Sequence, residues 1–164
     1  QSNYIPWRGY FDFIDSVDLF VFHDDIQYTK NDWRNRNLIV TPSGPRWLTV
    51  PVHYRQVDQK IDEVAIDSSQ NWVRRHIDQL HANYRTTPFF SDYIDGYKAI
   101  ASADHLSISA LNVALCRWVM DLLNIQSELS NYQQAEALAQ YDVLISQYRI
   151  SAAMGHLAEA FASR

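Results

Sequence analysis

Cysteine is nearly absent from this 164-residue chain. The single thiol, Cys116, rules out an internal disulfide and a Cys-rich zinc site. It falls on an apolar helical face, where a reduced core thiol is expected rather than a nucleophile. Glycine is also scarce, with four residues. No G-x-G-x-x-G or Walker loop occurs, so dinucleotide and ATP binding by those routes are not expected. A G-x-S-x-G elbow is missing too, which counts against an α/β hydrolase. The six histidines lack metal-ligand spacing; His76 and His81 miss the i, i+4 arrangement of a helical zinc pair. We expect no structural metal, and the residues name no cofactor.

Positive charge is in deficit as well. A net charge of −5 argues against a general nucleic-acid binder. No apolar run approaches the ~20 residues needed to cross a bilayer, and no signal peptide stands out. The expectation is a cytoplasmic protein without nucleic acid among its partners and without membrane insertion.

What the chain does contain is apolar content for one substantial core, at 47% hydrophobic. We expect a single α/β domain over residues 1–164, strand-rich over 1–66 and helical over 67–164. Its core would be a small twisted sheet that includes a hairpin, flanked by helices. Pro6 suits a first helical turn, and Trp7, Tyr10, Phe11 and Ile14 come after it at helical spacing. Trp7 and Tyr10 are expected in the core. Gly9 inside that helix is unfavourable by ~1 kcal/mol relative to Ala, which suggests that something approaches the backbone closely there. Residues 17–23 read as a central buried strand. Residues 36–41 and 46–52, separated by Pro42-Ser43-Gly44-Pro45, read as a hairpin beside or near it. Residues 60–66 read as another short strand.

The second half reads as helices. Asp67-Ser68-Ser69-Gln70 resembles a capped helix start, and Val73, Ile77, Leu80 and Tyr84 mark one face of that helix. Thr87-Pro88 opens another helix, in which Phe89, Tyr93 and Tyr97 share a side. Ser107 caps the longest one, which runs to about Asn124 with Ile108, Leu111, Leu115, Trp118, Val119 and Leu122 as its stripe. From Asn131 onward the composition is Ala-, Gln- and Ser-rich and reads as helical. A strand is expected ahead of the polar loop at Gln1–Tyr4, so the fold's N-terminal strand is expected to lie outside the numbered sequence.

The chemistry concentrates in the first forty residues. Asp24 and Asp25 end the 17–23 strand, and alternation sends one toward a crevice and the other away. A carboxylate there can act as general base toward a sugar hydroxyl or amine, or hold Mg²⁺ beside a diphosphate. Equally, one can cap the loop while the other pairs with Lys30 or Arg34. Lys30, Arg34 and Arg36 alternate with Asn35, Asn37, Gln27, Tyr28 and Trp33. Arginine suits phosphate, and asparagine suits hydroxyl or amide recognition. Tyr4 and Trp33, on loops, can stack on a sugar or nucleobase ring. The candidate catalytic residues are therefore Asp24 and Asp25. The candidate ligand-binding residues are Tyr4, Gln27, Tyr28, Lys30, Trp33, Arg34, Asn35, Arg36 and Asn37. They are expected to share one cavity.

The opening string QSNYIPWRGYFDFIDSVDLFVFHDDIQYTKNDWRNRN, together with GPRWLTVPV, resembles the WbqC-like family of bacterial proteins. IDEVAIDSSQNWVRRHIDQLHANYRTTPFF and the helix ALNVALCRWVMDLLNI resemble the same family, so the likeness spans roughly residues 1–125. Family segments that usually come after the long helix are not recognised in residues 131–164. The resemblance implies a setting among genes for O-antigen and other surface polysaccharides. It also implies modification of amino sugars, for instance by acyl or aminoacyl transfer.

Three readings remain open. One is a transferase acting on an amino sugar or nucleotide-linked sugar, with that small molecule as its partner. The second is a nucleotidylyltransferase-like nucleotide-binding protein, although the usual pair of loop histidines is replaced by Pro6, Trp7, Gly9 and Tyr10. The third is a non-catalytic binding or scaffold module. Aromatics at 13% leave room for a homodimer.

Overall fold

Helix α4 (Ile108–Leu123) is the spine onto which the rest of the chain packs. Ser107 starts it by accepting the Ala110 N–H on its hydroxyl, and Asn124 ends it in a left-handed conformation. The computed structural model describes residues 1–131, 134–136 and 139. In it, Ile108, Leu111 and Leu115 are fully buried against one apolar cluster, with Val50, Ile61, Val64 and Trp72. Cys116 and Met120, a turn further on, join a second cluster with Phe11, Ile14, Phe20, Phe22 and Leu129. Burial pushes the Cys116 thiol up to about 12, so it is protonated packing material.

The second cluster contains helix α1 (Arg8–Asp15) and strand β1 (Leu19–Phe22). Strand β6 (Glu128–Asn131) pairs with β1 in parallel, from Leu19 opposite Glu128 to Phe22 opposite Asn131. The hairpin is present as β2 (Arg36–Thr41) and β3 (Gly44–Thr49), joined through Pro42 and Ser43. Gly44, at φ +105°, supplies a backbone conformation that L side chains rarely adopt. Strands β4 (Val52–His53) and β5 (Ala65–Ile66) form a short antiparallel pair. Helices α2 (Trp72–Tyr84) and α3 (Phe90–Ala101) then cover the first cluster. The class is therefore mixed α/β with helices dominating the second half.

Several expectations need correction. Among the described residues β1 pairs with β6 alone, so it is not central, and the hairpin is a sheet of its own. Strand β6 was not foreseen. Residues 60–66 do not form one strand: Ile61–Glu63 is a 3₁₀ turn, and only Ala65–Ile66 is extended. The i, i+3 spacing of Ile61 and Val64, both fully buried, is the period of that turn.

Helix starts are also displaced. Asp67 accepts from Ser69 and Gln70 in a local turn, and α2 begins at Trp72. Helix α1 begins at Arg8, since Ile5 sits at φ 46° and Trp7 is still extended. Trp7 is not core; it is 74% exposed. What approaches Gly9 is the Trp7 indole, because a Cβ at residue 9 would lie 2.0 Å from Trp7 Cζ3. The helical expectation for the segment from Asn131 lies largely outside the described residues, and Asn131 itself ends β6. No helix among the described residues is long and apolar enough to cross a membrane.

Candidate functional site

A hollow of about 460 Å³ opens at the carboxyl ends of the parallel strands β1 and β6. Parallel strands present their loops, and hence their ligand sites, at this end. Phe22 and Asn131, the last residues of the two strands, line it together with Asp24 and Asp25. The opposite wall is the flank of α4 from Ser109 to Arg117, and Asp62 enters from the 3₁₀ turn. Ala110 and Ala114 on that flank keep the wall low.

The two acids predicted from the sequence do share this hollow, but they differ in state. Asp24 is buried, and both of its oxygens are engaged: Oδ1 accepts the Ser2 N–H at 2.7 Å and Oδ2 accepts the Ser109 hydroxyl at 2.6 Å. It ties the opening loop to the first turn of α4. Asp25 is partly exposed, at 21% of its side chain; its Oδ1 is buried, lies within ion-pair distance of His23 Nε2 at 3.2 Å, and accepts no hydrogen bond among the described residues. Asp62 Oδ1 is buried with no hydrogen-bond partner among the described residues. Burial, then the neighbouring Glu63 charge, pushes the Asp62 carboxyl above its ordinary value.

Three acids thus face one cavity with little positive charge to offset them. Arg117 is the cation on its wall, and it spends one Nη2 donor on the Leu129 carbonyl at 3.4 Å. Among the described residues no cluster of three His, Cys, Asp or Glu side chains is arranged to hold a metal ion. The arrangement is suited to a ligand bearing N–H or O–H donors, since carboxylate oxygens only accept.

The remaining candidates do not converge with the acids. Tyr4, Trp33 and Asn37 line a second hollow with Asn3 and Trp7. Tyr28, Lys30, Asn35 and Arg36 line a third, beside Tyr54. The single shared cavity is therefore incorrect. The physical reason is that residues 33–37 run into β2, whose partner is β3 rather than β1, which carries them away from Asp25. Arg34 instead donates to Asn3 Oδ1 and pairs with Asp32 at 3.6 Å. Arg36 donates to the Asn31 carbonyl and lies 4.3 Å over the Trp47 ring. Lys30 lies 4.5 Å over Tyr54. Neither acid pairs with Lys30 or Arg34. Gln27 bridges to Lys60 and donates to the Val57 carbonyl, outside all three hollows.

Asp62, Ser109, Arg117 and Asn131 were missed. Ser109 and Arg117 sit about two helical turns apart on a polar edge of a largely apolar helix, a pattern that could have flagged them. Asp62 carried no such signal. Asn112 was also missed: fully buried in α4, it donates to Ser2 Oγ and to the Arg34 carbonyl, and so binds the opening loop from the other side.

Comparison with known proteins places these features in a family. No solved structure is a significant match. The uncharacterized protein Rv1507c of Mycobacterium tuberculosis is 44% identical over 133 residues. That alignment covers 80% of this chain and 57% of the mycobacterial protein, so the chain spans little more than half of its relative's length. The model of the WbqC-like protein family matches residues 1–156, running well past the long helix where the motif resemblance stopped. The chain belongs to the WbqC-like protein family.

Proposed function

We propose that this protein is a transferase that modifies an amino sugar, free or nucleotide-linked, in surface-polysaccharide biosynthesis. The observation that carries the reading is the acid-lined hollow at the ends of β1 and β6, where Asp25 is partly exposed and one oxygen each of Asp25 and Asp62 is buried without a hydrogen-bond donor among the described residues. A buried acceptor without a donor costs free energy that a ligand N–H or O–H recovers. In this reading Asp24, with both oxygens occupied, positions the loop and Ser109. Asp25 is the general base. The sugar amine attacks the carbonyl carbon of an activated acyl donor, its proton passes to Asp25, and the bond from that carbon to the donor's leaving group breaks.

A thermal-shift screen against nucleotide-linked amino sugars, their hydroxyl counterparts and nucleoside triphosphates tests this. Ligands that bind only the folded state raise stability by mass action. The amino sugars are expected to raise the melting temperature by about 5–10 °C at a hundredfold excess over Kd. Stabilisation by triphosphates alone would favour nucleotidylyl transfer. No stabilisation by any of the three would favour a binding or scaffold module.

A further inference from the structure

We infer that the second hollow, between Trp7 and Trp33, is a separate binding site for the pyranose ring of a saccharide. It measures about 350 Å³, which suits one ring and its substituents. Trp7 is 74% exposed and Trp33 46% exposed, although an indole gains most from burial. Both are nevertheless braced. Trp7 lies across Gly9 in space that a Cβ would fill. Trp33 leans on Trp47 at 5.3 Å between ring centroids, and Trp47 is in turn capped by the Arg36 guanidinium. Two supported indoles beside one cavity form platforms for the C–H face of a sugar.

The polar side of the hollow fits the same ligand. Asn3 and Asn37 line it, and no charged side chain does. Asn3 Oδ1 is held by Arg34, while Asn3 Nδ2 donates to nothing among the described residues. A spare amide donor on a residue that lines a neutral pocket suits a hydroxyl rather than a phosphate. The backbone between two lining residues is strained: Ile5, a β-branched residue between Tyr4 and Pro6, adopts φ 46°, and Asn37 Nδ2 holds the carbonyls of Tyr4 and Ile5. Such outliers persist only where surrounding contacts enforce them, and they gather at ligand sites. This site is distinct from the acidic hollow, yet adjacent residues serve the two: Ser2 N–H binds Asp24, and Asn3 lines the tryptophan pocket.

The test is saturation-transfer NMR and tryptophan-fluorescence titration with methyl pyranosides, N-acetylated ones included, and with nucleosides in parallel. Methyl pyranosides are expected to bind, and Trp7→Ala to weaken them about tenfold or more without loss of fold. Gly9→Ala provides a second variant. It removes a helix glycine and so leaves the melting temperature unchanged or higher, while its methyl displaces the Trp7 ring and weakens binding. Asp25→Asn keeps the pyranoside. Absence of pyranoside binding up to the solubility limit overturns the inference, as does binding unchanged in both Trp7→Ala and Gly9→Ala. Exclusive binding of nucleosides, or loss of the pyranoside in folded Asp25→Asn, overturns it equally.

Discussion

The hydroxyls of Tyr4 and Tyr97 lie 2.6 Å apart in the core, and each is within reach of His76 Nδ1, at 3.0 and 3.1 Å. His76 Nε2 is 3.1 Å from the Thr49 carbonyl, which can only accept. Nε2 therefore carries a proton, and because burial lowers the ring's pKa to about 4 the imidazole is neutral and Nδ1 accepts. One tyrosine donates to the ring and the other to its neighbour's oxygen. This buried network joins the opening Tyr-Ile-Pro-Trp loop to β3, α2 and α3, and it sets the wall of the tryptophan pocket through Tyr4.

Tyr4→Phe removes one hydroxyl and leaves the other two groups short of a partner. The expected cost is about 1–3 kcal/mol, measured by urea unfolding. Tyr97→Phe should cost a similar amount. Because the two share one network, the double variant should lose less than the sum.

Burial lowers His76 from 6.5 to about 4, with the nearby Arg75 charge acting the same way and the Thr49 carbonyl opposing. The unfolded chain takes up this proton near its ordinary pKa, whereas the folded one resists it until about pH 4. Stability from this group is thus complete above pH 6.5 and declines as pH falls toward about 4, by on the order of 3 kcal/mol in all. Unfolding free energies between pH 6.5 and about 5, above most carboxylate titrations, should fall in the wild type. In His76→Gln the slope over that window should shrink.

Asp24 and Asp25 should separate cleanly under mutation. Asp24→Ala strips the Ser2 N–H and the Ser109 hydroxyl of a charged acceptor, and should destabilise by about 3 kcal/mol. Asp25→Asn should leave the melting temperature in buffer within about 1–2 °C of wild type while abolishing stabilisation by amino sugars. Equal loss of stability in both variants would assign Asp25 to architecture.

Gly44→Ala should cost about 1–3 kcal/mol, because its φ of +105° is strained for any Cβ. Nothing lies within 4 Å of that Cβ, so the effect is conformational rather than steric. Circular dichroism melts of the variant check it.

Elements written in local signals were legible in the sequence. Ser107 and Asn124 bracket α4 as their chemistry dictates, and the Pro-Ser-Gly turn gives the hairpin. Strand β6 was not legible, because Glu128–Asn131 carries one large apolar residue and pairs with a strand more than a hundred residues away. Half of the acidic hollow was legible for the same reason: Asp24 and Asp25 come directly after an apolar run, whereas Asp62 and Ser109 reach it only through tertiary packing. His76 is read from the sequence only as lacking metal-ligand spacing, and nothing local to α2 shows that two distant tyrosines meet it.

The most direct measurement is a crystal structure of the chain with a stabilising amino sugar bound. The sugar amine is expected within hydrogen-bonding distance of Asp25 or Asp62, in the hollow where β1 and β6 end. An amine seated elsewhere, with those two carboxylates untouched, would contradict the proposed transferase chemistry.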